Sequence, residues 1–189
     1  MEPVGMHDVP SWGGPPAAQW SLDVIRGGVA LESIDLNAAA RRQDAAAGSW
    51  VLVGRDADAC TLAPQHPSTS RHHAVFQFRA SRSSGGDDNN VSDGNGSEAD
   101  AVNTADVTEA LFLKDLASTH GTLRNKSALG SSSGSGGGAW VELSVGDVLR
   151  FGASSRLYIV EGPAAARPDE VESDRLRSLR RMYQHFIAL

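Results

Sequence analysis

The sequence predicts an all-β sandwich, on three observations. Short runs with strand character recur through residues 21–160. Gly, Pro, Asp and Asn separate them, and most alternate apolar with polar residues or are rich in β-branched ones. A helical period becomes clear only after Pro168.

In chain order, residues 1–19 contain SWGGPPAAQW and hold too much Pro and Gly for regular structure. They read as an extended arm whose tryptophans can dock on the domain. The strand candidates then follow as SLDVI, VALESIDL, SWVLVG, HAVFQF, ALFLKDL, WVEL, DVLRF and RLYIV. In HAVFQF, the two-residue period puts Ala74, Phe76 and Phe78 on one face, which is expected to enter the core. Two segments interrupt the pattern: GGDDNNVSDGNGSEADAVNTAD within residues 83–109, and ALGSSSGSGGGA near residues 128–139. Neither buries enough apolar surface to offset the entropy of ordering, so both are expected to be disordered loops. Between Trp20 and Pro163, about 105 residues then remain, an ordinary size for a sandwich. The domain is therefore expected over 20–163, and 164–189 reads as a linker and an amphipathic helix. There, Leu176, Leu179, Tyr183, Phe186 and Ile187 fall at helical spacing, with acids early and arginines late.

The net charge of -6 is unevenly placed, because residues 83–109 hold seven acids and no base and the remainder carries +1. A nearly neutral domain can recognise an anion through a local cluster of donors. It lacks the basic stripe of a backbone-reading nucleic-acid binder, so no direct nucleic-acid partner is expected. The single cysteine, Cys60, excludes an intrachain disulfide framework and a Cys-rich zinc site, and suits a reducing intracellular compartment. The N-terminus lacks the basic and apolar regions of a signal peptide, and no apolar run approaches the roughly 20 residues of a membrane span. No membrane partner is expected.

Three constellations compete for a chemical role. In a hydrolase, Ser70 or Ser118 would be the nucleophile, His73 or His120 the base and Asp115 the orienting acid, but neither serine sits in a G-x-S-x-G elbow. A metal site would draw on His66, His72 and His73 with Asp56 and Asp58, yet adjacent histidines on a strand point to opposite faces. The third set joins GR (Gly54, Arg55), SRHH (Ser70, Arg71, His72, His73) and STHGT (118–122). It offers guanidinium groups at Arg55 and Arg71, hydroxyls at Ser70 and Thr119, and flexible backbone donors around Gly121, an inventory that suits a dianionic phosphate. Arg55 could instead pair with Asp56 or Asp58 at the surface. If GR ends an upward strand and SRHH begins a downward one, ALFLKDL returns upward and delivers STHGT to the same rim. By the same count, both low-complexity segments fall at the opposite end.

In order and spacing, GR, S-x-x-H and STHGT followed by Asn125 resemble the motifs of the forkhead-associated (FHA) domain family, whose fold is a phosphothreonine-reading β-sandwich of about eleven strands. The resemblance implies that Arg55 and Ser70 hold the phosphate and that Arg71 and Thr119 assist. It gives His73 a structural role, buried and bonded to neighbouring loop backbone, with Gly54, Gly121 and Asn125 supporting the site. Many members carry Asn where His120 stands, in contact with the peptide backbone, so His120 is expected to touch the ligand with a pH-sensitive imidazole. The implied protein is a non-enzymatic adaptor with no catalytic residue, cofactor or metal. Its partner would be a phosphothreonine-containing protein segment, and its setting nuclear or nucleocytoplasmic, as for nuclear members of the family. A scaffold that uses the arm and the C-terminal helix without phosphate is the alternative on the same fold.

Overall fold

The computed structural model describes residues 8–43, 48–79, 109–129 and 138–167. Among them are ten strands, against about eleven expected, and one α-helix. In order these are β1 (Ser21–Arg26), β2 (Val29–Asp35), α1 (Leu36–Gln43), β3 (Trp50–Val53), β4 (Ala74–Arg79), β5 (Ala110–Asp115), β6 (Thr122–Arg124), β7 (Ser127–Ala128), β8 (Val141–Leu143), β9 (Val148–Phe151) and β10 (Arg156–Glu161). A 3-10 turn follows at Ala164–Ala166. The strands form two sheets, β2-β1-β10-β9-β6-β7 and β3-β4-β5-β8, and pairing within both is antiparallel.

Alternation along the strands builds the core between the sheets. Leu22 and Val24 from β1, Val51 and Val53 from β3, Phe76 and Phe78 from β4, and Leu111 and Leu113 from β5 all face it, as do Tyr158 and Val160 from β10. Ala74, Phe76 and Phe78 enter together, as their period requires. Phe151 lies at the centre, with ring centroids 5.1 Å from Tyr158, 5.8 Å from His73 and 6.3 Å from Phe76 in edge-to-face arrangements. The outer face of the smaller sheet carries a second cluster of Trp50, Leu52, Cys60 and Val75. Beside it the arm docks: Trp12 packs 4.7 Å from Phe112 and 5.4 Å from Trp140. Gly14 N–H donates to Phe78 O at 3.1 Å, and the N–H groups of Ala17 and Ala18 bind the Glu109 carboxylate.

Two elements depart from the sequence-based expectation. VALESIDL is not one strand, because β2 stops at Asp35, whose Oδ1 accepts the Ala38 N–H at 2.8 Å and caps α1. The helix buries Leu36, Asn37, Ala39 and Ala40 against the side of the sandwich. It is pinned at one end by the Trp20 N–H donated to Asn37 Oδ1 at 2.9 Å, and at the other by Gln43, whose Oε1 accepts the Leu52 and Thr61 N–H groups. The second departure is the β6–β7 hairpin, turned by Asn125 and Lys126 at φ values of 51° and 71°.

This hairpin adds one reversal of the chain and corrects the expected position of the glycine-serine segment. The residues flanking that segment lie at the end that carries STHGT: Leu129 N–H donates to Thr122 O and Gly138 N–H to Asp115 O, each at 2.9 Å. The acidic segment is flanked by Arg79 and Glu109 at the opposite end, as expected. The expected C-terminal helix lies outside the described residues. Among the described residues, no helix is long and apolar enough to cross a membrane.

Phe151 joins both sheets through its ring contacts, so Phe151→Ala leaves a cavity at their centre. We expect a loss of about 3–5 kcal/mol in unfolding free energy, measured by urea denaturation.

Candidate functional site

The alternating strands bring four loops to one end of the sandwich. β3 rises to Gly54 and Arg55, β4 descends from His73, β5 rises into residues 116–121, and β9 rises into residues 152–155. The first three hold the motifs picked out in the sequence. The fourth was missed, and its residues GASS carry no motif that would have indicated a place at the rim.

Backbone contacts join the first two motifs. Arg55 N–H donates to Ser70 O at 2.9 Å and Asp56 N–H to Arg71 O at 3.3 Å. The approach is so close that a Cβ on Gly54 would stand 1.9 Å from Arg71 O, which explains the glycine of GR by contact with the second motif. The third motif joins through Ser70, whose Oγ accepts the Thr119 N–H at 3.1 Å.

Beneath the rim, His73 is completely buried, at 0% exposure. Its Nδ1 accepts the Ser70 N–H at 3.1 Å, so the ring proton sits on Nε2, which donates to Gly121 O at 3.2 Å. Burial holds the His73 pKa below the ordinary 6.5, against the opposing pull of the Asp115 carboxylate. The neutral ring therefore links SRHH to STHGT. Gly121, at φ 70°, aims its carbonyl at this ring and also accepts the Gly152 N–H at 2.9 Å, which ties in the fourth loop. Ser68 makes a further tie to that loop: its Oγ accepts the Ala153 N–H at 2.8 Å and lies 2.7 Å from His66 Nδ1.

Asp115 shapes the STHGT loop from inside. Its Oδ1 accepts the Ser118 N–H at 2.8 Å, while its Oδ2 accepts the Ser118 hydroxyl at 2.7 Å and the Thr122 hydroxyl at 2.6 Å. Ala117 is held at φ 57°, a left-handed conformation that costs a residue with a Cβ about 1 kcal/mol or more. The loop is thus set by its own buried carboxylate.

Above this frame, the side chains of Arg55, Arg71, Thr119 and His120 are exposed and Ser70 is half-buried. Among the described residues neither Arg55 nor Arg71 forms an ion pair. Asp56 does not take Arg55; its Oδ1 accepts the N–H groups of Asp58 and Ala59. The arrangement also bears on the other candidate chemistries. Both nitrogens of His73 are committed to backbone groups, and the Ser70 hydroxyl accepts from Thr119, so no Ser70–His73 nucleophile and base pair is assembled. Among the described residues no three of His, Cys, Asp and Glu gather as metal ligands. Asn125, expected to support the site, lies away from the rim. It stands at the far end of β6, with Nδ2 donating to Asp147 Oδ1 at 2.6 Å and Oδ1 accepting the Val148 N–H at 2.9 Å, and so braces the turn before β9.

Comparison with known proteins fits this frame. The FHA domain family profile matches residues 51–152, a stretch that takes in all three motifs. The chain belongs to the FHA domain family. Human kanadaptin is 36% identical over 180 residues, covering 94% of this chain and 20% of kanadaptin. The human nuclear inhibitor of protein phosphatase 1 is 24% identical over 169 residues, covering 89% of this chain and 36% of that protein. The chain therefore spans only a minor part of the length of either relative. Among solved structures, the yeast Pml1 splicing factor superposes with a TM-score of 0.53 at 18% identity, covering 84% of this chain and 97% of that one. This last likeness bears on the fold alone, and the fold agrees: an FHA β-sandwich.

Two outcomes follow from the frame. Gly54→Ala should force SRHH away from GR and lower the thermal midpoint, with altered amide shifts at Ser70 and Thr119 by NMR. The depressed His73 pKa means that the unfolded chain takes up a proton more readily than the folded one. The stability from neutral His73 should be fully present above about pH 6.5 and fall as pH drops from there toward the lower folded value. Urea denaturation at about pH 7.5 and 5.5 should show this fall, and His73→Gln should make it shallower.

Proposed function

We propose that this FHA domain is a phosphothreonine-dependent recognition module, acting in an adaptor and binding an extended segment of a partner protein across the rim. The observation that carries the reading is the Thr119 N–H donated to Ser70 Oγ at 3.1 Å, which brings two hydroxyl-bearing residues together in loops that also carry the exposed Arg55 and Arg71, neither of them in an ion pair among the described residues. In this reading Arg55 anchors the phosphate, Ser70 and Thr119 position it, Arg71 adds charge, and His120 meets the peptide backbone. Charge-assisted bonds of this kind contribute about 1.5–3 kcal/mol each, enough for a few of them to make binding depend on the phosphate. Selection of threonine over serine would require a small apolar niche for the γ-methyl group.

Membership of the FHA family supports the phosphate reading, and the kanadaptin and phosphatase-inhibitor relatives support a nuclear or nucleocytoplasmic setting. The phosphate-independent scaffold is favoured less, because the Trp12 of the arm is already engaged by Phe112 and Trp140 of its own chain.

Titration of labelled phosphothreonine peptide libraries and their unphosphorylated twins tests the proposal. Only the phosphorylated forms should bind, more weakly as salt rises. Arg55→Ala should weaken them about tenfold or more. Equal binding of both forms, or no effect of the substitution, would overturn it.

A further inference from the structure

A second cationic feature lies at the same end of the sandwich, on the larger sheet. Arg26 ends β1 and Arg156 begins β10, and the two stand directly opposite each other in the antiparallel register. They continue the columns that supply Val24 and Tyr158 to the core, one step beyond it toward the rim. Like charges placed directly across a strand pair repel and destabilise it. Among the described residues neither arginine forms a close ion pair: Glu32, on the same face one row away opposite Val24, acts with Arg156 on Tyr158 from nearby but does not close on either guanidinium. Arg156 Nε is also buried without a hydrogen-bond partner. A guanidinium partly withdrawn from water and left unpaired is costly, which an anion supplied from outside would offset.

The pair is connected to the candidate phosphate site. Ser68, two residues before Ser70, accepts the Ala153 N–H, and the Arg156 N–H donates to Ser154 Oγ at 3.1 Å. The β9–β10 loop thus runs from the Ser70 loop to the arginine pair. An extended peptide advances about 3.3 Å per residue, so one laid from Ser70 toward β10 would bring a side chain roughly three to five residues from the phosphothreonine over Arg26 and Arg156.

We propose that Arg26 and Arg156 form a second anion subsite, which selects ligand segments carrying a further negative group, carboxylate or phosphate, at that distance from the phosphothreonine. The proposal rests on the phosphothreonine reading above, and supplies it with a preference along the peptide.

A phosphothreonine peptide that is otherwise uncharged serves as reference, with glutamate or phosphoserine placed in turn at each of the six positions on either side. One position roughly three to five residues away should tighten binding about three- to tenfold. A gain with phosphoserine alone identifies phosphate as the selected group, and a similar gain with glutamate identifies negative charge in general. The double variant Arg26→Gln, Arg156→Gln should abolish that gain and bind the reference peptide as the unmodified protein does. Arg26→Glu should favour lysine at the same position, a reversal that general damage to the fold would not produce. If the reference peptide binds and no acidic position improves it, or if the gain survives in the double variant, the subsite is overturned and the phosphothreonine reading stands. If no phosphopeptide binds, the phosphothreonine reading falls, and the subsite with it.

Discussion

The rim depends on one buried, uncharged imidazole. His73 has an acceptor on one side and a donor on the other, and it spends both on backbone: the Ser70 N–H and the Gly121 carbonyl. Only the neutral ring satisfies that pair, since a protonated Nδ1 would face the Ser70 N–H donor to donor. Burial beside Phe151 favours the neutral form, so the packing that builds the core also sets the protonation state that joins the loops. Asp115 and Gly54 have related tasks, one fixing the curvature of STHGT and the other letting two backbones touch.

Ion pairing differs between the two ends of the sandwich, although Asp56 and Asp58 also stand in the loop after Arg55. The ion pairs between arginine and carboxylate, Arg79 with Glu142 and Arg124 with Asp147, involve residues away from the rim. At the rim, Arg26, Arg55, Arg71 and Arg156 have no such partners among the described residues. A formal charge of -6 for the whole chain would suggest a molecule that repels anions. Local arrangement reverses that inference, because the field at a surface falls off within about 10 Å at ordinary salt and the acidic segment joins the sandwich at the other end.

Much of this was legible in the residues, for physical reasons that differ by element. Strands such as HAVFQF could be read because a half-buried pleat requires alternation, and the three rim motifs because their chemistry needs particular side chains at particular turns. α1 was hidden by its small size: LNAAARRQ has one large apolar residue, and its real signal was the cap at Asp35. The β6–β7 hairpin was hidden by its turn. Asn-Gly would have announced a tight reversal, whereas Asn125-Lys126 reaches the same left-handed geometry with a residue that rarely adopts it. That single omission changed the count of reversals, and so sent the glycine-serine segment to the wrong end.

The bonds that hold the loops together use few of the atoms that would meet a ligand. They run through main-chain groups, a buried histidine, a buried aspartate and the hydroxyls of Ser68, Ser70, Ser118 and Thr122, while the tips of Arg55, Arg71, Thr119 and His120 stay free of structural duty among the described residues. Such a division of labour makes the surface exchangeable. Replacing those tips alters what the rim prefers without disturbing how it is built, so one frame can be retuned to successive partners while the sandwich beneath keeps its shape.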